Sequence, residues 1–138
     1  MHNYEPRGVV VETRAFLEGV ARDGTLLPVT FTYVASDPWA VSMLVHTAGP
    51  AVPWTFAREL IADGLNRPTG EGDVLITPTA EGIGIGLTSP TGVAILKVGR
   101  APLERLIEQT ELLVPLGAES DHVNWDHALS TLAFGGEG

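Results

Sequence analysis

Alternating apolar and polar residues dominate the first half of the chain and predict short antiparallel strands. In one such run Val29, Phe31 and Tyr33 share a face, opposite Thr30 and Thr32. The same criterion, together with β-branched content and flanking turn residues, predicts seven strands, at residues 9–18, 27–34, 39–47, 52–56, 74–77, 82–88 and 93–98.

The period becomes helical at the centre of the chain and again near its end. Ala57, Leu60, Ile61 and Gly64 fall on one helical stripe, so a short helix is predicted there, with Gly64 ending it in the left-handed conformation. A longer helix is predicted after Pro102. Its apolar stripe comprises Leu103, Leu106, Ile107, Thr110 and Val114. A last helix is predicted to begin at Asn124, and its apolar side comprises Trp125, Ala128, Leu129 and Leu132.

Short strands separated by tight turns favour antiparallel pairing over parallel crossovers. The Asp23-Gly24 pair and the run Ser89-Pro90-Thr91-Gly92 are turn sequences of this kind. The predicted fold is therefore α+β: two packed antiparallel sheets of about seven strands, a short central helix and C-terminal helices. One domain is expected over residues 1–138, with flexible ends at 1–7 and 135–138.

Composition narrows the classes of function. Seventeen acidic and eight basic residues give a formal net charge of −9, which opposes binding to nucleic-acid phosphates and to anionic membrane surfaces. The chain has no cysteine, so thiolate chemistry and disulfides are excluded. Neither a secretory signal nor an apolar run of membrane-spanning length is visible, and a cytoplasmic protein without direct membrane insertion is expected.

Three glycines at alternate positions, Gly82, Gly84 and Gly86, resemble part of a dinucleotide-binding motif. That motif requires a third glycine after two intervening residues, where Leu87 stands, and a following helix. A turn and another strand are predicted instead. The preferred interpretation is that the glycines leave one strand face bare, so that another element packs closely against the backbone.

No catalytic, metal or cofactor site is predicted. His122 and His127 are five residues apart and would point in different directions on a helix, so no shared metal is expected. No serine lies in a nucleophile-elbow motif. An alternative, a small hydrolase or isomerase, would need a buried carboxylate or His46 in a deep apolar pocket.

Several short motifs resemble the SsgA-like family of actinobacteria, and their order and spacing are more specific than any one of them. The matching positions extend over about residues 27–132, and the subfamily stays open, the SsgB type among the candidates. The motifs are Asp37-Pro38-Trp39-Ala40-Val41, Trp54 to Ile61, Gly64-Leu65, Arg67 to Gly70, Gly72-Asp73-Val74, Leu87 to Gly92, and Thr110, Val114, Pro115 and Gly117.

The resemblance implies a non-enzymatic protein of sporulation-specific cell division. It implies an adaptor that recruits the tubulin-like division protein FtsZ, or acts with another SsgA-like protein, at the division septum. It also implies a fold similar to the Whirly single-stranded-DNA-binding proteins and assembly as a homotrimer. Single-stranded nucleic-acid binding is therefore the alternative function, although fold does not carry function and the negative charge opposes it.

The partner surface is predicted around the central helix and the turn after it. The polar residues expected to be exposed there are Arg58, Glu59, Asn66, Arg67 and Glu71. The alternative is that Arg58 and Glu59 are simply the solvated face of an amphipathic helix.

Overall fold

The structure is a computed structural model that describes residues 8–18 and 25–123. Within them the chain forms eight strands, two α-helices and a short 3₁₀ helix at Glu119–His122. The strands are β1 Gly8–Glu18, β2 Thr25–Val34, β3 Ala40–Val45, β4 Val52–Ala57, β5 Thr69–Glu71, β6 Val74–Thr79, β7 Gly82–Ser89 and β8 Gly92–Val98. The helices are α1 Arg58–Gly64 and α2 Arg100–Leu113.

All eight strands belong to one antiparallel sheet with the order β4-β3-β2-β1-β8-β7-β6-β5, curled into a half-barrel. The predicted pair of stacked sheets is therefore wrong, although the α+β class is confirmed. The reason lies in β1, which is 11 residues long. It pairs with β2 from Gly8 to Leu17 and with β8 from Ala15 to Glu18, so it joins the two halves of the chain edge to edge.

The seven predicted strands are all present, and β5 is the eighth. β5 has three residues, two of them Gly70 and Glu71, which is too short for an alternation to show. It pairs with β6 through Thr69↔Ile76 and ends at Glu71, and Gly72 in the turn that follows adopts a positive φ of 59°. The predicted similarity of the whole fold to the Whirly proteins stays a prediction.

The concave face of the half-barrel and the buried sides of the two helices form the core. Odd-numbered residues of β1 and β2, such as Val11 and Phe31, point inward, as the alternation predicts. α2 packs against β1, whereas α1 packs against β4, β5 and β6 and also contacts α2. Leu103, Leu106 and Ile107 are buried on α2, so the predicted stripe of the longer helix is confirmed.

α1 ends differently from the prediction. Gly64 is its last helical residue and does not have a positive φ, and Leu65 caps the helix in the right-handed region at φ −67°. A Cβ added to Gly64 would overlap the side chain of Ile76. Gly64 is thus required because α1 lies close to β6, and the predicted left-handed helix end is wrong.

Several predictions fall on residues outside the described ranges: the Asp23-Gly24 turn, the last helix from Asn124, and the flexible ends at 1–7 and 135–138. None of the helices in the described ranges is both long enough and apolar enough to cross a bilayer.

Candidate protein-interaction surfaces

Arg58 is completely buried, at 0% exposure, so the prediction that it faces solvent at the partner surface is wrong. It is the first residue of α1, and its amide donates to the carbonyl oxygen of Trp39 at 2.7 Å. The polar side of so short a helix is predicted to be exposed to solvent. Glu59 is exposed, but α2 and the chain after it cover Arg58.

The Arg58 side chain closes the carboxyl-terminal end of α2. Its Nη1 donates to the carbonyl oxygens of Thr110 at 3.3 Å and Val114 at 2.6 Å, and its Nη2 lies 2.6 Å from Oε2 of Glu119. The last carbonyls of a helix lack intrahelical donors and carry the negative end of its dipole. α2 has no basic residue in its own last turn, so the compensating cation comes from α1. We call this group the Arg58 clasp.

Two further residues complete the clasp. Glu119 also accepts a hydrogen bond from the amide of Gly117 at 2.9 Å, which ties down the turn after α2. Tyr33 places its ring centroid 5.2 Å from the guanidinium carbon of Arg58, within range of a cation–π contact. Its hydroxyl donates to the carbonyl oxygen of Pro38 at 2.9 Å.

The clasp shifts the pKa of both ionisable partners of Arg58. Partial burial tends to raise the pKa of Glu119, but hydrogen bonds from Arg58 and from backbone amides outweigh it and hold this pKa below its usual value. Burial raises the pKa of Tyr33, with the Arg58 charge acting in the opposite direction. Glu119 is therefore an ionised partner at neutral pH.

The remaining predicted partner residues are all exposed: Glu59 on α1, Asn66 and Arg67 in the turn after it, and Glu71 on β5. A shallow groove of about 160 Å³ runs between α1 and β5, lined on its polar side by Glu59, Asp63 and Glu71. We call this region the α1–β5 surface. Glu59 and Glu71 line this groove together, and Arg67 reaches it through Asp63, whereas Arg58 is buried away from it.

Because Arg58 is buried, the charge of the α1–β5 surface differs from that of the predicted partner surface. Three carboxylates, on Glu59, Asp63 and Glu71, remain against the single guanidinium of Arg67. The Arg67–Asp63 distance is 3.9 Å between largely exposed side chains, which makes it a weak pair. The α1–β5 surface is thus acidic by about two charges rather than balanced.

The three glycines of β7 have different surroundings. A Cβ on Gly82 would lie 2.6 Å from the carbonyl oxygen of Val98, and its φ is +147°. A Cβ on Gly84 or Gly86 would make ordinary contacts, with no neighbouring atom closer than 3.6 Å. Only at Gly82, among the three, does the fold itself require glycine.

The concave face has an apolar opening of about 350 Å³ at the end of the half-barrel, where Leu17, Leu27 and Trp54 are partly buried. None of the side chains lining it is titratable. His46 lies elsewhere, in an open depression with Glu12 and Arg14, where its Nε2 is 2.9 Å from the hydroxyl of Thr30. Across residues 8–18 and 25–123 no group of three or more metal-capable side chains occurs.

Comparisons with known proteins all indicate the same protein family. Residues 27–119, about two thirds of the chain, match the family described as Streptomyces sporulation and cell division protein, SsgA. The chain is similar to the sporulation-specific cell division protein SsgB of Salinispora tropica, with 39% identity covering 94% of this chain and 96% of the relative. It is 42% identical to SsgB of Streptomyces coelicolor, covering 75% and 80%.

The fold agrees with that relationship. The crystal structure of an SsgA-like sporulation-specific cell division protein from Thermobifida fusca superimposes with a TM-score of 0.83 at 34% identity, covering 94% of this chain and 98% of that one. The segment matched by the family, residues 27–119, contains most of β2, all of β3 to β8, both α-helices and Glu119 of the clasp. The chain therefore belongs to the SsgA family of sporulation and cell division proteins.

Proposed function

We propose that this protein is a non-enzymatic adaptor in sporulation-specific cell division, which positions or recruits the septum machinery by protein–protein interaction. The observation that carries the proposal is family membership, since the relatives are named sporulation-specific cell division proteins. An apolar opening lined by no titratable side chain supports a binding role over catalysis.

FtsZ, or another SsgA-like protein, is the proposed partner, and the division septum is the proposed site of action. The α1–β5 surface is the proposed contact because it groups exposed charged side chains around a groove. Its acidic balance favours a partner with a complementary basic surface.

A homotrimer is the proposed assembly. The sheet is open, with β4 and β5 at its two edges, and an edge strand offers unpaired backbone groups to a neighbouring subunit. Sedimentation equilibrium at micromolar concentration tests this directly. A mass of three protomers is expected, and a monomer would remove the trimer from the proposal.

The partner proposal is tested by replacing the chromosomal gene in a sporulating actinobacterium with a tagged copy. We expect FtsZ to be recovered with the wild-type protein and the tag to lie at septa. The double charge reversal Glu59→Lys and Glu71→Lys changes two exposed carboxylates of the α1–β5 surface into cations, and it should lower FtsZ recovery several-fold. Glu108→Lys, on the exposed side of α2, is the matched control. Equal recovery with the double reversal and with wild type would exclude the α1–β5 surface, and septa without the tag would exclude the adaptor role.

Arg58 is unsuitable for such a reversal because it is buried. A lost interaction after Arg58→Glu would report a disrupted fold rather than a lost contact.

A further inference from the structure

A second groove lies on the outer face of the sheet, across β6, β7 and β8. The register places Leu75 on β6 and Ile95 on β8 directly on either side of Gly86 on β7. With strands about 4.8 Å apart, the two flanking backbones are about 10 Å from each other. Leu75, Val93 and Ile95 are 49%, 52% and 38% exposed. We call this groove, of about 440 Å³, the glycine trough.

Nothing in the described fold accounts for glycine at its floor. Gly86 has no positive φ, and a Cβ there would be 3.6 Å from the carbonyl oxygen of Leu75 and 3.8 Å from its Cβ. Glycine weakens a strand interior, whereas a β-branched residue in its place would shield the neighbouring aliphatic side chains. The missing side chain instead leaves room for a group that approaches from outside.

The rim of the trough is acidic. Glu71 and Asp73, on either side of the β5–β6 turn, both line it. No ion pair joins either carboxylate to a cation anywhere in the part of the chain that the structure describes. Lys97, on the same outer face, is already within 4 Å of Glu18 and Glu81. A second copy of this chain carries a formal charge of −9 and would meet this rim with like charge overall.

We propose that the glycine trough binds a partner segment in which an apolar side chain is flanked by lysine or arginine. The apolar side chain lies over Gly86 between Leu75 and Ile95, and the cations pair with Glu71 and Asp73. Aliphatic contact supplies the burial, and the carboxylates select the charge of the partner.

This site extends beyond the α1–β5 surface, with which it shares Gly70 and Glu71. It does not rest on the identity of the division partner. Failure to recover FtsZ from cells would leave it standing, and failure of the binding test below would leave the adaptor role standing.

Selection of random twelve-residue displayed peptides on the purified full chain provides the probe. Enriched peptides should carry an aliphatic or aromatic residue next to Lys or Arg. Their affinities are then measured by fluorescence anisotropy. Gly86→Val, which fills the floor of the trough, should weaken binding at least tenfold. Glu71→Gln with Asp73→Asn should weaken it about three- to tenfold.

Matched controls separate the trough from general effects. Thr32→Val adds an apolar group elsewhere on the outer face, and Glu108→Gln with Glu111→Gln removes two carboxylates from α2. Both should leave affinity within about twofold of wild type. Gly86→Ala and Gly86→Val should both melt at or above the wild-type temperature, because the backbone accommodates a side chain there.

Four results overturn the proposal. The first is that no enriched peptide distinguishes wild type from Gly86→Val, and the second is enrichment without basic residues. The third is unfolding of both Gly86 variants, which would make glycine a requirement of the fold. The fourth is a lower sedimentation mass for Gly86→Val than for wild type, which would make a second copy the occupant.

Discussion

Replacing Arg58 by methionine removes a buried cation and keeps most of the side-chain volume. The variant leaves Glu119 without its guanidinium partner and Val114 without the charged donor to its carbonyl oxygen. Thr110 keeps one donor, because its carbonyl oxygen also accepts from the Val114 amide at 2.8 Å. The perturbation is therefore electrostatic and directed at the carboxyl-terminal end of α2.

The expected loss is about 3–4 kcal/mol. Removing one partner of a buried ion pair costs about 3–5 kcal/mol. The Glu119 side chain is 12% exposed, so water can rehydrate part of the freed carboxylate and the cost falls toward the lower end. An unsatisfied buried carbonyl alone costs about 1–3 kcal/mol, which is consistent with that range. At about 4 °C per kcal/mol for a domain of this size, the melting temperature should fall by about 12–16 °C.

Urea unfolding followed by circular dichroism measures this loss, and Arg105→Met is the matched control. Arg105 is an exposed arginine of α2, so its replacement should change stability by less than about 0.5 kcal/mol. Arg58→Lys should fall between the two, because lysine keeps the charge but lacks the planar fork that reaches two carbonyls and a carboxylate.

A double-mutant cycle with Glu119→Gln identifies the mechanism. If the clasp acts as a unit, the two substitutions together should cost about 1 kcal/mol or more less than the sum of the single costs. A loss below about 1 kcal/mol for Arg58→Met, or strict additivity in the cycle, would refute this account of the clasp.

Further predictions follow from the clasp, the glycines and the charge. The pKa of Glu119 is depressed in the folded state, so its stabilisation is complete above the unfolded value of about 4.3 and is lost as pH falls through the folded value. Urea midpoints between pH 7 and pH 3 should show this decline, and Glu119→Gln should flatten it. Gly82→Ala should cost about 1–3 kcal/mol in the same unfolding assay, because it forces a side chain into a positive-φ position, whereas Gly84→Ala should be neutral or stabilising. Gly64→Ala should cost about 1–3 kcal/mol in the same assay because the added Cβ overlaps Ile76, and a neutral result would contradict the requirement for glycine there. A mixed-sequence single-stranded oligonucleotide at low salt should give no anisotropy change, and tight, salt-sensitive binding would favour the nucleic-acid alternative.

Local pattern was sufficient for the elements and for much of the core. Val29, Phe31 and Tyr33 alternate with threonines, and a strand places alternate residues on opposite faces whatever its neighbours are. The same reasoning located α2 through Leu103, Leu106 and Ile107. The same reasoning does not predict β5, which has three residues, because a period cannot be measured over so few positions.

Three residues of the clasp region, and the acidic residue after them, are visible in the sequence, but periodicity assigns Thr110 and Val114 only to the buried stripe of α2. Thr110, Val114 and Gly117 formed one of the motifs that carried the family resemblance, and Glu119 follows two residues later. An acidic residue just after a helix that has no basic residue in its last turn is a reason to look for a cation from another element. Helical periodicity alone placed Arg58 on the outward side.

The sequence by itself determined seven of the eight strands and both α-helices of the described residues, the acidic charge, and the family through the order of its motifs. The tertiary structure decided that β1 joins β8 and makes one sheet from two halves, that Arg58 is buried, and that glycine is required at Gly82 but not at Gly86. The physical reason is range. Periodicity and turn chemistry act over a few residues, whereas the Arg58 hydrogen bonds reach partners 52 to 61 positions away. Whether a side chain is buried depends on which segments pack over it, and those segments are often distant in the sequence.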